Sequence, residues 1–315
     1  MLQIIEIGCQ VGLLYVPFAL GLYLAMGVLS LPDLTLQGSF GLGGSMTAEL
    51  VVNGWNPGLS ILLGMLVGAG AGLVTAVLHH QLRLNVLIAG IVVATGAYSI
   101  CLMIMGTGNV PLLGHSTIFT WATQHGLTAQ HGTILVGAIV TVLFAAVLVL
   151  FLKTTYGLSL RAAGENIQTA RGLGIRTERR QIVGLMIANS LAACSGGLVV
   201  ESEGFMDVTI QVNVIVIGLA ALMIGLAIVR TPKVVPSVAA VVLGVLVYRV
   251  IVAWALDIGL NPNYLQLTTA VLVIAVIGVR TSARRLWAIP GTRSARRART
   301  DQLRFYEEDR VASFL

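Results

Sequence analysis

The sequence predicts an all-α fold, a polytopic transmembrane helical bundle with eight or nine spans. Of its 315 residues, 57% are hydrophobic and only 10% are charged, and the mean hydropathy is +0.92. A soluble domain carries about 25% charged residues, so one soluble core could not bury this much apolar surface. The apolar residues form continuous runs, as helices crossing a core of ~30 Å require, and do not alternate as in a membrane β-barrel.

Eight apolar runs are long enough to cross a bilayer. They cover roughly residues 10–30, 58–79, 84–105, 132–152, 181–201, 209–229, 234–256 and 264–280. A further stretch at about 38–52 is short and rich in Gly and Ser, so it is predicted to be a thin span or a re-entrant element. The first run is expected to be a retained span, because no basic region precedes it and no small-residue cleavage site follows it.

The distribution of Lys and Arg predicts how the spans are oriented. The loop at 153–180 and the tail after Arg280 are basic, whereas the loops at 106–131, 202–208 and 257–263 contain no Lys or Arg. Basic loops face the cytoplasm, so the C-terminus is expected there. Eight spans would place the N-terminus inside and nine would place it outside.

The net charge of +6 is concentrated at the C-terminal end. We therefore predict a transmembrane domain at 1–280 and a basic cytoplasmic tail at 281–315. Such a tail is attracted to anionic membrane lipid. A nucleic-acid partner is not expected, because a membrane exit on the cytoplasmic side explains the charge by itself.

Motifs for catalysis or metal binding are absent from the sequence. There is no GxxxxGK[ST] phosphate loop, and neither Lys153 nor Lys233 follows a Gly-rich segment. No HExxH or CxxC pattern suggests a metal site, and no cofactor is expected. A membrane enzyme or a channel is therefore the weaker hypothesis.

Polar residues at membrane depth are better candidates, because they are costly there and usually face a partner or a cavity. Arg249 lies within the span at 234–256 and could form an ion pair, extend outward, or balance a carboxylate on the solute. The segment that begins at Asn85 is echoed by the one that begins at Asn213, in spans predicted to run in opposite directions. Such an echo is typical of inverted repeats, whose site lies near the repeat interface, so both Asn residues are candidates.

The cytoplasmic segment at 156–180 is more than a connecting loop. Its sequence, YGLSLRAAGENIQTARGLGIRTERR, has helical spacing, an acid and an amide at Glu165 and Asn166, and a closing Gly-x-Gly-Ile. This pattern favours a short cytoplasmic helix that docks a soluble partner. The alternative is an amphipathic helix that contacts only lipid.

The run LRAAGENIQTARGLGI within this segment resembles the coupling loop of ABC-transporter permeases of the branched-chain amino acid and ribose import type. The segment PDLTLQGSFGLGGS at 32–45, with the blocks at 85–114 and 204–225, is similar to the subfamily of tryptophan/tyrosine permeases. Together these segments cover most of residues 15–230. The resemblance implies that ATP is hydrolysed by a separate subunit, so this chain is not expected to be an enzyme.

The resemblance also implies roles for individual residues. The expected ATPase-coupling residues are Arg161, Gly164, Glu165, Asn166, Ala170, Gly174 and Ile175. Residues expected near the translocation path are Asp33, Thr35, Gly38 and Ser39, together with the candidates Asn85, Asn213 and Arg249. Leu226 departs from the family pattern, which has an acidic residue there, so an ion pair at that position is in doubt.

A permease of this kind is expected in the bacterial inner membrane as part of an importer for an amino acid or a similar small solute. Its expected partners are ABC ATPase subunits, an extracytoplasmic substrate-binding protein and a second permease subunit, with a homodimer favoured. The alternative is an ion- or proton-coupled secondary transporter, which would explain the internal echo but not the long cytoplasmic segment.

Overall fold

The computed structural model describes residues 2–120, 128–212, 214–229 and 233–259, together with 269 and 271. The helices are α1 (Leu2–Leu22), α2 (Thr35–Val52), α3 (Pro57–Gln81), α4 (Val86–Met105), α5 (Ala129–Lys153), α6 (Thr155–Glu165), α7 (Ile167–Gly172), α8 (Thr177–Glu203), α9 (Val214–Ile228) and α10 (Val234–Asp257). A π-helical turn, Tyr23–Val28, extends α1, and a 3-10 turn, Val208–Gln211, precedes α9.

In the described part of the chain, seven helical segments are long and apolar enough to cross a membrane. They correspond to seven of the eight predicted runs, which confirms the all-α polytopic fold. The eighth run, at 264–280, lies outside the described residues except for Thr269 and Val271. The predicted tail at 281–315 and its boundary also lie outside them.

The short stretch predicted at 38–52 is part of the 18-residue helix α2. Almost all of α2 is buried, and glycines bring its backbone against α8: a Cβ on Gly43 would overlap the carbonyl of Ala193, and a Cβ on Gly196 would overlap the carbonyl of Phe40. Small residues permit this approach between membrane helices. Because protein surrounds α2 in place of lipid, its composition can be less apolar than that of the other spans.

Contacts between α1 and α8 fix the direction of α1. Ser195 donates a hydrogen bond of 2.6 Å to the carbonyl of Leu14, and Gly21 lies against Ala188, so the two helices are antiparallel. α1 therefore begins at the end of the bundle where α8 ends, beside the loop at 202–208, and we call this the outer end because its loops are predicted to be outer. This direction agrees with the alternative in which the stretch at 38–52 is a span. α1 runs from the outer end to the inner end, and α2 then crosses back to the outer turn before α3.

A small sheet closes the outer end of the bundle. Strand β1 (Asn109–Pro111) pairs antiparallel with β2 (Phe205–Asp207), which joins the segment after α4 to the segment after α8. Val110 and Met206 pack in one hydrophobic cluster with residues from α2 and α8. The outer ends of α2, α4 and α8 are thereby held together.

Candidate functional site

The predicted coupling segment at 156–180 forms two short helices, α6 and α7, followed by the start of α8. Thr154 begins α6, because its side-chain oxygen accepts a hydrogen bond of 3.1 Å from the amide of Gly157. Asn166 has an extended backbone and begins α7 by accepting hydrogen bonds of 3.0 Å from the amides of Gln168 and Thr169. Such side-chain caps satisfy amides that the first helical turn leaves free. The chain therefore turns sharply at Asn166.

The inner face of α6 packs on the bundle. Leu160 is fully buried, and Gly164 lies against the end of the π-helical turn that extends α1. A Cβ on Gly164 would overlap the carbonyl oxygen of Val28 and would lie 2.9 Å from Cα of Leu29. Only glycine allows the backbone of α6 to approach the α1 extension this closely.

The side of the coupling segment that faces away from the bundle carries exposed apolar residues. The side chain of Leu173 is 74% exposed and that of Ile167 is 37% exposed. Gly174 has a φ of +79° that turns the chain after α7, and the amide of Ile175 then donates to the carbonyl of Ala170 at 3.1 Å. We call Ile167 and Leu173 the apolar tip.

The structure separates the residues predicted for coupling by their surroundings, and Gly174 is exposed at the turn after α7. Gly164 and the buried Ala170 contact the rest of the chain, so they position the segment, whereas Glu165 and Asn166 are exposed. Arg161 and Ile175 are half-buried. The sequence analysis did not select the apolar tip, although two large apolar residues in a charged cytoplasmic segment are a signal that could have identified it.

A buried polar network joins the linker before α2 to α3 and α8. One carboxylate oxygen of Asp33 accepts a hydrogen bond from the Thr35 amide at 2.8 Å, and the other accepts from Nδ2 of Asn189 at 2.8 Å. Oδ1 of Asn189 accepts from the Ser39 hydroxyl at 2.7 Å, and the hydroxyls of Thr35 and Thr75 lie 2.6 Å apart. All five side chains are fully buried, so each hydrogen bond replaces one to water.

This network bears on the residues predicted for the translocation path. Asp33, Thr35 and Ser39 do lie together, but they hold helices to each other in the described structure and have no surface exposed to an opening. Gly38 packs against Ala94 of α4. Asn189, the residue that joins them, was missed, although an Asn in the middle of an apolar span was a usable signal.

The other path candidates lie elsewhere. Asn85 is exposed at the start of α4, where its side chain accepts a hydrogen bond of 3.0 Å from the amide of Leu87 and so caps the helix. Asn213 lies outside the described residues. The two residues of the internal echo are therefore not brought together here, and the inverted repeat stays a prediction.

Arg249 lies within α10, about two turns before its end, against α1. Its guanidinium carbon stands 3.8 Å from the centroid of the Tyr15 ring, a cation–π contact. Nε and Nη2 are buried and make no hydrogen bond within the described residues, and no carboxylate there lies within salt-bridge distance. The ion pair considered from the sequence is thus not seen in this part of the chain, whereas the guanidinium retains donors for a carboxylate.

One face of α4 carries hydroxyl groups that the described chain does not cover. Thr95, Tyr98 and Ser99 are exposed near the middle of this span, and a Cβ on Gly96 would meet nothing within 4 Å. The opposite face packs on α2, where Gly90 lies beside Asp33. The Thr95 hydroxyl donates a hydrogen bond of 2.8 Å to the carbonyl of Ile91. The hydroxyls of Tyr98 and Ser99 would lack partners if they faced hydrocarbon, so this face is a second candidate for the solute path.

Comparison with known proteins agrees with this arrangement. The family described as "Branched-chain amino acid transport system / permease component" matches residues 4–277. The chain belongs to this permease family. It is 33% identical over 259 residues to a tyrosine transport system permease protein of Clostridioides difficile, covering 82% of this chain and 85% of that protein.

Two further relatives extend the range of the family. The permease is 29% identical over 68% of its length to a probable branched-chain amino acid transport permease protein, LivH, of Methanocaldococcus jannaschii, of which 70% is covered. It is 30% identical over 51% of its length to the autoinducer 2 import system permease protein LsrC of Yersinia enterocolitica, of which 44% is covered. No solved structure matches the chain. The protein is therefore a multi-pass permease component of an ABC transport system in the inner membrane.

Proposed function

We propose that this permease forms the solute path of an ATP-driven importer and couples to separate ATPase subunits through α6 and α7. The observation that carries the proposal is the two-sided construction of α6–α7. One side presents the apolar tip, Ile167 and Leu173, outside the bundle, and the other side holds Gly164 against Val28. A subunit bound to the tip could therefore transmit force directly to the end of α1.

The contacts beyond Val28 connect the coupling segment to the membrane spans. Only the linker at 29–34 separates the end of the α1 extension from α2, and it contains Asp33. Asp33 is bonded to Asn189 of α8, and a Cβ on Gly90 of α4 would lie 3.0 Å from its carboxylate oxygen. Displacement of α6 would thus shift the linker and with it α2, α4 and α8. Two packings of these helices would provide the outward-open and inward-open states, provided that the solute binds them unequally.

Co-purification and transport in liposomes test the proposal against the alternative of an ion-coupled secondary transporter. We expect the tagged permease, extracted in mild detergent, to retain an ATPase and, after reconstitution, to move solute only when ATP is supplied. A proton or sodium gradient alone should support no uptake. Purification without an ATPase, together with uptake on an ion gradient alone, would contradict the proposal and favour the secondary transporter.

We also propose that a second copy of the permease covers the exposed face of α4. Tyr98 and Ser99 would otherwise place hydroxyl groups without partners in lipid, which favours a polar passage between two copies. This homodimer would place one coupling segment on each side of the passage. The predicted path residues Asp33, Thr35 and Ser39 would then act behind the passage wall, through α4, and would not contact the solute.

Cysteine cross-linking tests the second copy. In a variant with Cys9, Cys101 and Cys194 replaced by Ala, we expect Ser99→Cys to give a dimer in membranes when a bifunctional thiol reagent long enough to span the passage is added, because two-fold symmetry would place the two thiols on facing walls. Leu66→Cys, on a different exposed face, should remain monomeric. A dimer from Leu66→Cys and none from Ser99→Cys would place the interface on α3.

The solute and its delivery follow from the relatives. An amino acid or a similar small solute, delivered by an extracytoplasmic substrate-binding protein, is proposed because two relatives are named as amino acid permeases. The donors of Arg249 that make no hydrogen bond in the described chain would suit the carboxylate of such a solute. The basic segment at 281–315 is proposed to lie on the cytoplasmic side, where anionic lipid would attract it.

A further inference from the structure

We infer that an anionic phospholipid of the cytoplasmic leaflet binds between α3, α5 and α8, with an acyl chain in a cavity there and its headgroup beside the coupling segment. The cavity has a volume of about 430 Å³, within the range of ordinary ligand sites. It is lined by Met65 of α3, Phe144 and Phe151 of α5, and Met186 and Ser190 of α8, among others. Ser190 is the single polar residue of the lining.

The chemistry of the lining selects the occupant. An amino acid solute carries an ammonium and a carboxylate, and neither would find a partner in a cavity whose only polar group is one hydroxyl. An acyl chain needs no such partner and gains from burial of each methylene. The side chain of Val147, which also lines the cavity, is 53% exposed, so the cavity opens to the surface of the bundle beside α5.

The position of the cavity fits one leaflet. On α5 the lining runs from Phe144 to Phe151, and the helix ends at Lys153 on the cytoplasmic side. At a rise of about 1.5 Å per residue, the lining on α5 extends ~14 Å from the helix end, which is roughly half of a ~30 Å hydrocarbon core. A chain anchored at the cytoplasmic surface therefore reaches the whole cavity on this helix.

Basic groups lie where the headgroup would be. Arg180 lies one helical turn before Val183, a lining residue of α8, and its guanidinium carbon stands 3.6 Å from the ring centroid of Tyr156. The ring of Tyr156 is in turn 5.9 Å from that of Phe151, which lines the cavity. Lys153 is exposed at the adjacent end of α5. These two charges are suited to a phosphate, and they flank the first turn of α6.

The site rests on the membrane location of the permease and not on its proposed coupling to an ATPase. Its test can therefore fail or succeed independently of that proposal. The probe is phosphatidylglycerol with a photoreactive diazirine on one acyl chain, incorporated with the full-length permease into phosphatidylcholine vesicles. After irradiation, the labelled peptides are identified by mass spectrometry. We expect labels in the peptides that contain 144–151 and 183–191.

Matched variants show whether labelling depends on the cavity. Ala69 lines the cavity, so Ala69→Trp should fill it and reduce labelling about tenfold, and the smaller Ala69→Leu should reduce it partly even if the Trp variant folds poorly. Leu66→Trp, on the same helix but 68% exposed and outside the lining, should leave labelling unchanged. Equal labelling of the Ala69 variants and the parent would overturn the proposal.

The headgroup is tested separately. Diazirine-labelled phosphatidylcholine should label the same peptides about fivefold less, and Lys153→Gln with Arg180→Gln should reduce phosphatidylglycerol labelling to that level. Equal labelling by the two lipids would overturn the assignment of an anionic lipid.

Two further measurements test other occupants of the cavity. Loss of labelling on addition of tyrosine would show that solute occupies the cavity. A dimer from oxidised Val147→Cys would show that a second copy covers it. Either result would overturn the lipid site.

Discussion

Replacing Leu173 with glutamate is expected to prevent the ATPase from binding while leaving the permease folded. Leu173 is 74% exposed at the apolar tip, so its removal takes no packing from the bundle. Burial of a leucine side chain at an interface contributes about 1.5–3 kcal/mol, and an unpaired carboxylate in the same place adds a desolvation cost. Together, the lost burial and the added desolvation would cost about 3 kcal/mol of binding free energy, which corresponds to roughly 100-fold weaker binding. ATPase retained on the tagged permease, measured against salt and detergent concentration, gives the affinity.

The control is the same substitution at an exposed leucine on the opposite end of the bundle. Leu113 lies in the outer loop and is 89% exposed, so Leu113→Glu should retain the ATPase and support transport as the parent does. Ile167→Glu, at the other residue of the apolar tip, should resemble Leu173→Glu with a smaller effect because Ile167 is less exposed. Normal ATPase binding by Leu173→Glu would remove the tip from the docking surface.

Features that depend on composition and charge were predictable from the sequence. Long apolar runs specify helices in a bilayer. The orientation that the Lys and Arg residues in one set of loops indicate stays a prediction. The segment at 156–180 was identified because helical spacing in a charged loop is unusual. Its division at Asn166 was not predicted, since an extended residue with a capping amide is a local choice that neighbouring residues also permit.

Features that depend on tertiary contact were not predictable. The stretch at 38–52 was predicted as either a thin span or a re-entrant element, because the sequence does not state that protein will surround α2. The path residues were selected from a family segment, but their pairing with Asn189 joins positions 150 or more residues apart. Arg249 was recognised as a charge at membrane depth, whereas its position over the Tyr15 ring requires α1 and α10 to be adjacent.

Gly164 also makes a tertiary contact that the sequence does not reveal. Its substitution is the second change that we expect to have a large effect on transport. The sequence grouped Gly164 with the residues that contact the ATPase, yet its surroundings are Val28 and Leu29 of the permease itself. We expect Gly164→Ala to retain the ATPase and to lose transport by at least about tenfold, because an added Cβ would push α6 away from the α1 extension. Transport-linked ATP hydrolysis in liposomes should fall with uptake, while basal hydrolysis by the bound ATPase should persist.

The matched control for this substitution lies in the same segment. Gly172, the last residue of α7, has nothing within 4 Å of where a Cβ would be, so Gly172→Ala adds the same methyl group without a collision. Alanine also favours a helix by up to about 1 kcal/mol over glycine, so this variant should fold and transport at least as well as the parent.

The two variants together distinguish docking from transmission. Loss of ATPase binding by Gly164→Ala, with Gly172→Ala normal, would show that Gly164 belongs to the docking surface. Uptake equal to the parent would show that the contact with Val28 does not transmit the motion. The expected pattern, ATPase bound but uncoupled, separates transmission from docking within one segment, because Leu173→Glu should lose both.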